Sequence, residues 1–164
     1  MAWNTCDLYD RFEAEAQVPD RPLHDYGGRT VFSGRIATVK CFEDNSRLKE
    51  LSATPGEGRV LVVDGGGSLR DALLGDMIGG DMARNGWAGA VIFGSVRDVE
   101  ALKGLDFGVR ALAATPRKAA REGEGKLGLA LAFAGVTWRP GDMLFADADG
   151  VLVLSPELAA GVRS

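Results

Sequence analysis

Three stretches of the chain are apolar almost without interruption: Val60 to Val63, Ala88 to Phe93 and Gly108 to Ala114. Runs that short, set off by turn residues, predict strands covered on both faces, and the run from Arg59 to Asp64 predicts the centre of a sheet. Elsewhere the spacing lengthens to that of a helix. Asp44-Asn45-Ser46 caps a helix carrying Leu48 and Leu51 that Pro55-Gly56 ends, and a short helical segment follows Gly75-Asp76. Upstream, Thr5 caps a helix with Leu8 and Phe12 on one face. Pro19 and Pro22 break the chain and His24 falls in the linker that follows. The stretch from Thr30 to Cys41, rich in Val, Ile, Thr and Phe, predicts a strand.

Gly65-Gly66-Gly67 turns the chain, and Ser68 with Asp71 three residues on reads as the capping box of another helix. A glycine turn between strand and helix can cradle phosphate, but the third glycine of a dinucleotide fingerprint and the lysine of a phosphate loop are both missing here. Arg121 to Lys126 reads as a loop. Leu127, Leu129, Leu131 and Phe133 alternate with Gly128, Ala130 and Ala132, which predicts one half-covered strand whose small apolar outer face invites another subunit. Met143 to Asp147 and Val151 to Leu154 pair as a hairpin turned by Asp149-Gly150. The sum is a mixed α/β domain spanning residues 1–164.

Composition narrows the task. A length of 164 residues at 46% hydrophobic and 26% charged suits one packed core. The net charge of −4 with no basic run argues against direct nucleic-acid binding, and no apolar stretch reaches the length of a membrane span. Cys6 and Cys41 have neither the number nor the spacing of a disulfide framework or a zinc site, and the N-terminus shows no secretory core, which points to a cytoplasmic protein.

Candidate chemistry concentrates between Gly75 and Glu100. A helix followed by a buried strand folds back on itself, so Asp76 at the helix start and Arg97-Asp98 beyond the strand end share one mouth, where open α/β sheets bind ligands. Two carboxylates there can hold a hard divalent cation, and a guanidinium can clamp a carboxylate or polarise a ketone oxygen. Taken singly, each residue has a plainer role: Asp76 and Asp98 as helix caps, Arg97 as a surface ion-pair partner. The pair Asp147 and Asp149 reads as structural, part of the hairpin turn.

Asp76, twenty intervening residues, then Arg97-Asp98 resembles the D-x20-R-D signature of metal-dependent 4-hydroxy-4-methyl-2-oxoglutarate aldolases and their relatives, the RraA regulators of ribonuclease E activity. The likeness runs on through Phe42-Glu43-Asp44-Asn45, Val62 to Ser68, Asn85-Gly86-Trp87 and Gly141-Asp142, about residues 5 to 155. It implies an α/β/β sandwich of the swivelling-domain type, assembled as a ring-shaped homotrimer, singly or as two stacked rings, with active sites between subunits. It implies Mg2+ or Mn2+ ligated by Asp98, with Asp76 holding metal-bound waters. Arg97 would bind a small 2-oxo acid whose carboxylate meets the backbone of Gly75, Asp76, Met77 and Ile78. Aldol cleavage and oxaloacetate decarboxylation would share a pyruvate enolate, and the absence of a lysine in this stretch disfavours a Schiff base. Longer members take a further acidic residue from a neighbour's C-terminal extension, for which nothing comparable is expected here. The alternative the resemblance carries is a regulator that inhibits ribonuclease E by protein contact. A menaquinone methyltransferase, a third activity attached to the family, finds no recognisable S-adenosylmethionine site.

Overall fold

The computed structural model describes residues 2–163. In chain order the elements are α1 (Thr5–Phe12), β1 (His24–Asp25), β2 (Phe32–Lys40), α2 (Ser46–Ser52), β3 (Val60–Asp64), β4 (Ala72–Leu74), α3 (Asp76–Arg84) and β5 (Gly89–Val96). They continue as α4 (Val99–Lys103), β6 (Gly108–Ala114), β7 (Lys126–Leu127), β8 (Leu131–Phe133), β9 (Val136–Trp138), β10 (Met143–Asp147), β11 (Gly150–Leu154) and α5 (Pro156–Ala159).

The main sheet runs β1-β6-β5-β3-β2-β10-β11, with β4 alongside the end of β5 and β7 alongside the end of β2. From β6 through β5 and β3 to β2 the strands are parallel, and β10 and β11 are antiparallel additions. The strand β2 joins two arms of this sheet. Its residues 36–40 pair with β3, whereas residues 32–35 pair with β10. The apolar run of β3 is therefore split between two cores by the two-residue period of a strand. Leu61 and Val63 face the helices with Leu48, Ile78, Met82 and Leu102, while Val60 and Val62 face β8, β9 and β10 with Phe133, Trp138 and Leu144. Burial of each such side chain contributes about 1.5–3 kcal/mol, so a one-residue slip of β3 would exchange two packed sets at once. A third cluster joins Leu8 of α1 to Phe145, Leu152 and Leu154 on the outer face of the hairpin. The result is an α/β/β sandwich. Close packing of the middle layers requires glycine at position 108, where a Cβ would lie 2.2 Å from the Phe32 ring.

Local readings differ from the structure in several places, each for a visible reason. The cap of α1 is Asn4, whose backbone is extended and whose side chain accepts from the Asp7 N–H at 2.8 Å; Thr5 is the first helical residue and turns its hydroxyl to Asp147 instead. No helix follows Ser68. Gly66 and Gly67 take left-handed φ values of +69° and +74°, the Ser68 hydroxyl donates to Glu43, and the chain runs straight into β4. The predicted strand across Leu127 to Phe133 is two pieces, because Gly128 at φ +77° turns the chain between β7 and β8 and leaves Leu127 and Leu129 exposed. In the final hairpin the loop residues are Ala148 and Asp149, since Gly150 already pairs with Asp147. His24 lies in β1, opposite Ala111, rather than in a linker.

Candidate active site

Loops that leave the C-terminal ends of β2, β4, β5 and β6 enclose a cleft of about 360 Å3. Its lining includes Gly75, Asp76, Met77 and Ile78 at the start of α3, Arg97 and Asp98 after β5, and Asn45, Lys118 and Arg121. All six residues picked out from the sequence therefore share one mouth, at the end of the sheet where parallel strands leave room for ligands.

Asp98 sits at its centre in an uncommon conformation. Its φ of +60° is left-handed, which costs a non-glycine residue about 1 kcal/mol or more and persists only where surroundings enforce it. The carboxylate does not cap α4, the helix it precedes; Asp98 Oδ2 instead accepts the Asp76 N–H, the first of α3, at 3.1 Å. Gly75 makes this approach feasible, because a Cβ there would stand 2.5 Å from the same oxygen. Asp76 is the first residue of α3 rather than its cap, and its side chain is exposed to the cleft. Asp98 retains an oxygen with no protein donor among the described residues, and its side chain is 37% exposed.

Arg97 begins at the other end of the same turn. Its Nη1 donates to the Pro116 carbonyl at 3.3 Å, and its Nε lies 3.9 Å from Asp98 Oδ2, too long for a hydrogen bond and of small energetic weight at this exposure. Most of the guanidinium fork remains available to a ligand.

The basic side of the cleft was not apparent from spacing alone. Ala72 pairs with Lys118: the Ala72 N–H donates to the Arg117 carbonyl at 2.7 Å, and the Ala119 N–H donates to the Ala72 carbonyl at 3.2 Å. Asn45 holds Arg121 through Oδ1, accepting from Nε at 3.0 Å. The buried Asp44 fixes both partners of this wall, accepting from Ser46 N–H at 2.9 Å and Glu122 N–H at 2.6 Å. Burial pushes its carboxyl upward, but the bonds from Ser46 and from the Glu122 and Glu124 backbones outweigh burial and hold it below the usual range. Asp44 thus acts as a bolt between two loops, not only as the helix cap its sequence suggests. The run Arg117-Lys118-Ala119-Ala120-Arg121, placed just beyond the end of a buried strand, was the available signal.

A divalent cation fits what is present. Mg2+ is usually held by one or two carboxylates and keeps several waters, and Asp98 with Asp76 offers that number. Among the described residues no three His, Cys, Asp or Glu side chains converge, so this chain alone provides no full protein cage. Asp147 and Asp149 lie elsewhere, and both oxygens of Asp147 are occupied by Thr5 and Asp149 donors.

Residues 5–153 match the family model RraA-like: Aldolase/RraA. The chain belongs to the Aldolase/RraA family. It is 56% identical, over 99% of both chains, to a protein of Xanthomonas campestris pv. campestris strain 8004 provisionally named 4-hydroxy-4-methyl-2-oxoglutarate aldolase. A similarly named protein of Laribacter hongkongensis is 53% identical over 96% of this chain and 98% of that one. Among solved structures, the RNA-processing inhibitor RraA from Thermus thermophilis superposes with a TM-score of 0.93 at 44% identity, covering 100% of this chain and 99% of that one. An S-adenosylmethionine:2-dimethylmenaquinone methyltransferase from Geobacillus kaustophilus HTA426 superposes equally well, at 0.94 and 44% identity over 98% and 100%. Two family structures of equal likeness carry unrelated activities in their names, so the shared fold does not choose between chemistries and the cleft must. No helix of the described residues is long and apolar enough to cross a membrane.

Proposed function

We propose that this member of the Aldolase/RraA family is a divalent-metal-dependent lyase that cleaves 4-hydroxy-4-methyl-2-oxoglutarate into two pyruvates and decarboxylates oxaloacetate through the same enolate. The observation that carries the reading is the pair Asp76 and Asp98 meeting Arg97 at the start of α3, with Asp98 held in a strained backbone by its bond to Asp76 N–H. The names of the Xanthomonas and Laribacter relatives support it.

Asp98 would hold Mg2+ or Mn2+ directly and Asp76 through water; when bound, the cation would draw negative charge from the substrate's ketone oxygen. Arg97 presents a planar donor fork to the 2-oxo acid, and the backbone from Gly75 to Ile78, apart from the Asp76 N–H that Asp98 already holds, offers its N–H groups and the positive dipole end of a nine-residue helix to its carboxylate. In the cleavage, the C4 hydroxyl loses its proton, the C3–C4 bond breaks, and its electron pair moves to the C2 oxygen. The C4 fragment leaves as pyruvate, and protonation at C3 converts the enolate into the second pyruvate. Loss of carbon dioxide from oxaloacetate generates the same enolate. The charge on that oxygen, not the bond that breaks, is what Arg97 would recognise, while the helix terminus would hold the carboxylate common to both substrates.

The deciding measurement is pyruvate release from both substrates with Mg2+ or Mn2+, and again with EDTA. Turnover that EDTA abolishes and metal restores is expected; no turnover of either substrate, or turnover indifferent to EDTA, would overturn the assignment. A homotrimer of about three times 17.3 kDa is proposed with it, since Phe42 after β2, Leu69 between β3 and β4, and Met77 in α3 stand 63%, 58% and 72% exposed. Light scattering at micromolar concentration tests that separately. The Thermus neighbour favours a second reading, contact with ribonuclease E. That reading predicts inhibition of ribonuclease E cleavage by the purified chain, unchanged by the loss of Asp98.

A further inference from the structure

The buried strand β6 carries one charged residue, Arg110, in an otherwise apolar run. Val109 and Ala111 belong to the helix-side core, so the two-residue period of the strand turns Arg110 to the opposite face, where it is 4% exposed. A buried charge ordinarily has a counter-ion against it, because an unpaired one gives up its hydration without return. Arg110 has none. No carboxylate among the described residues lies within ion-pair distance of it. Its Nη2 donates to the Thr30 and Asp147 carbonyls at 3.1 and 2.6 Å, while neither Nε nor Nη1 has a protein acceptor among the described residues. The neighbouring acids are committed elsewhere. Asp25, opposite Arg110 in the register of β1 and β6, accepts the Gly27 N–H at 3.2 Å and the Thr30 hydroxyl at 2.8 Å, and both Asp147 oxygens are taken by Thr5 and Asp149 donors.

Arg110 lines a second cavity of about 360 Å3, formed where residues 18–25 meet the turn of the final hairpin. It shares no lining residue with the cleft at the start of α3. Val18 and Leu23 give it apolar walls, and its volume is that of about a dozen waters. Arg21, the other cation in the lining, is already paired with Asp20 at 3.2 Å. We propose that this cavity binds a small organic monocarboxylate with a compact apolar body, whose carboxylate supplies the counter-ion that Arg110 lacks. A free Nη1 makes the charge-assisted bond, and the apolar walls take the body of the ligand. Asp25 and Asp149 also line the cavity, so a dianion is repelled, while the buried guanidinium repels a metal cation. The site is separate from the lyase chemistry and does not depend on it.

His24, the one histidine of the chain, lies in the lining and serves as the reporter. Benzoate, its neutral isostere benzamide and inorganic phosphate are titrated into the full chain at constant pH while the His24 imidazole resonances are followed by NMR. Benzoate is expected to shift them saturably, and benzamide to bind roughly 10- to 100-fold more weakly, the range of one hydrogen bond to a charged group. Arg110→Gln keeps a donor for the neighbouring carbonyls but removes the charge, and should weaken benzoate by the same factor. Ala148→Trp fills the cavity from an exposed turn with Arg110 left in place, so it should abolish the shift even where Arg110→Gln fails to fold. Asp98→Ala, which alters the cleft alone, should bind benzoate as the wild type does. The assignment is overturned if benzoate leaves His24 unmoved or if benzamide or phosphate binds as tightly. It is equally overturned if saturable binding survives Arg110→Gln or Ala148→Trp, or disappears with Asp98→Ala.

Discussion

Asp98 and Asp147 use one device to opposite ends. Each carboxylate reaches across the fold to accept the first N–H of a helix it does not belong to, Asp98 from α3 and Asp147 from α1. Asp147 is 5% exposed and saturated: Oδ2 takes the Thr5 N–H at 2.8 Å, while Oδ1 takes the Thr5 hydroxyl at 2.7 Å and the Asp149 N–H at 3.0 Å. Asp98 receives a single bond, keeps an unused oxygen at the cleft, and sits on a left-handed residue. Each has an arginine nearby, and these differ in the same way. Arg110 is buried and spends Nη2 on the carbonyls of Thr30 and Asp147, whereas Arg97 makes one long bond to a carbonyl and is 41% exposed. A carboxylate whose acceptor capacity is full stabilises the fold. One left deliberately short, at some cost in backbone strain, is free to do chemistry.

The contrast can be broken most severely at Asp98. Asp98→Ala should lower metal-dependent pyruvate release by about 10³-fold or more, while circular dichroism and the unfolding midpoint stay near wild type. Retention of full activity would remove Asp98 from the site. Arg97→Lys keeps the charge but loses the fork, and should cost about 2–5 kcal/mol in kcat/KM with Mn2+ affinity little changed. Normal turnover in that variant would mean that charge alone suffices.

Asp147→Ala should do the reverse, leaving the Thr5 and Asp149 donors unpaired and costing about 2–4 kcal/mol of unfolding free energy with kcat unaffected. The acid response sharpens the point. Burial raises the Asp147 carboxyl, but hydrogen bonds from Thr5 and Asp149, with the Arg110 charge nearby, outweigh it and hold the group below its ordinary value. A depressed value in the folded state stabilises fully above the unfolded carboxyl pKa, about 3.9, and that stabilisation fades as pH falls through the folded value. The difference in stability between wild type and Asp147→Asn should accordingly shrink below about pH 4. A difference that is constant down to pH 2 would contradict the account. The smallest change in stability belongs to Asp98→Gly, which should stabilise the fold by roughly 0.5–1 kcal/mol through relief of the left-handed strain, although it loses activity as Asp98→Ala does. A destabilised Asp98→Gly would show that the bond to Asp76 N–H outweighs the strain.

Legibility in the sequence followed the range of the interaction. The strand Gly108–Ala114 and the hairpin strand Met143–Asp147 were readable to the residue, because apolar runs ended by Pro116 and by a turn are local signals. Asp76, Arg97 and Asp98 were placeable because one helix and one strand connect them. The basic wall was hidden, since what brings Lys118 and Arg121 to the cleft is backbone pairing with Ala72 and the Asp44–Glu122 bond, partners 46 and 78 residues apart. Ser68 misled for a related reason: its hydroxyl met the expected need for a cap, but Glu43, 25 residues away, took it instead. The strand expected across Leu129 failed at Gly128, where a backbone choice available to glycine overrode a regular alternation.

The shared strand β2 also sets a timetable for synthesis. A nascent chain leaving the ribosome can complete the parallel block once residue 114 has emerged, since residues 36–40 find their partner in β3. The remaining edge, residues 32–35, pairs only with residues 143–146. At roughly 5–20 residues per second, translation leaves that edge open for about two to seven seconds, with Phe32 already seated on Gly108 beside it. A chain in this interval carries an unpaired strand border of the kind that can pair with another chain, a hazard set by the order of synthesis and absent from the finished fold.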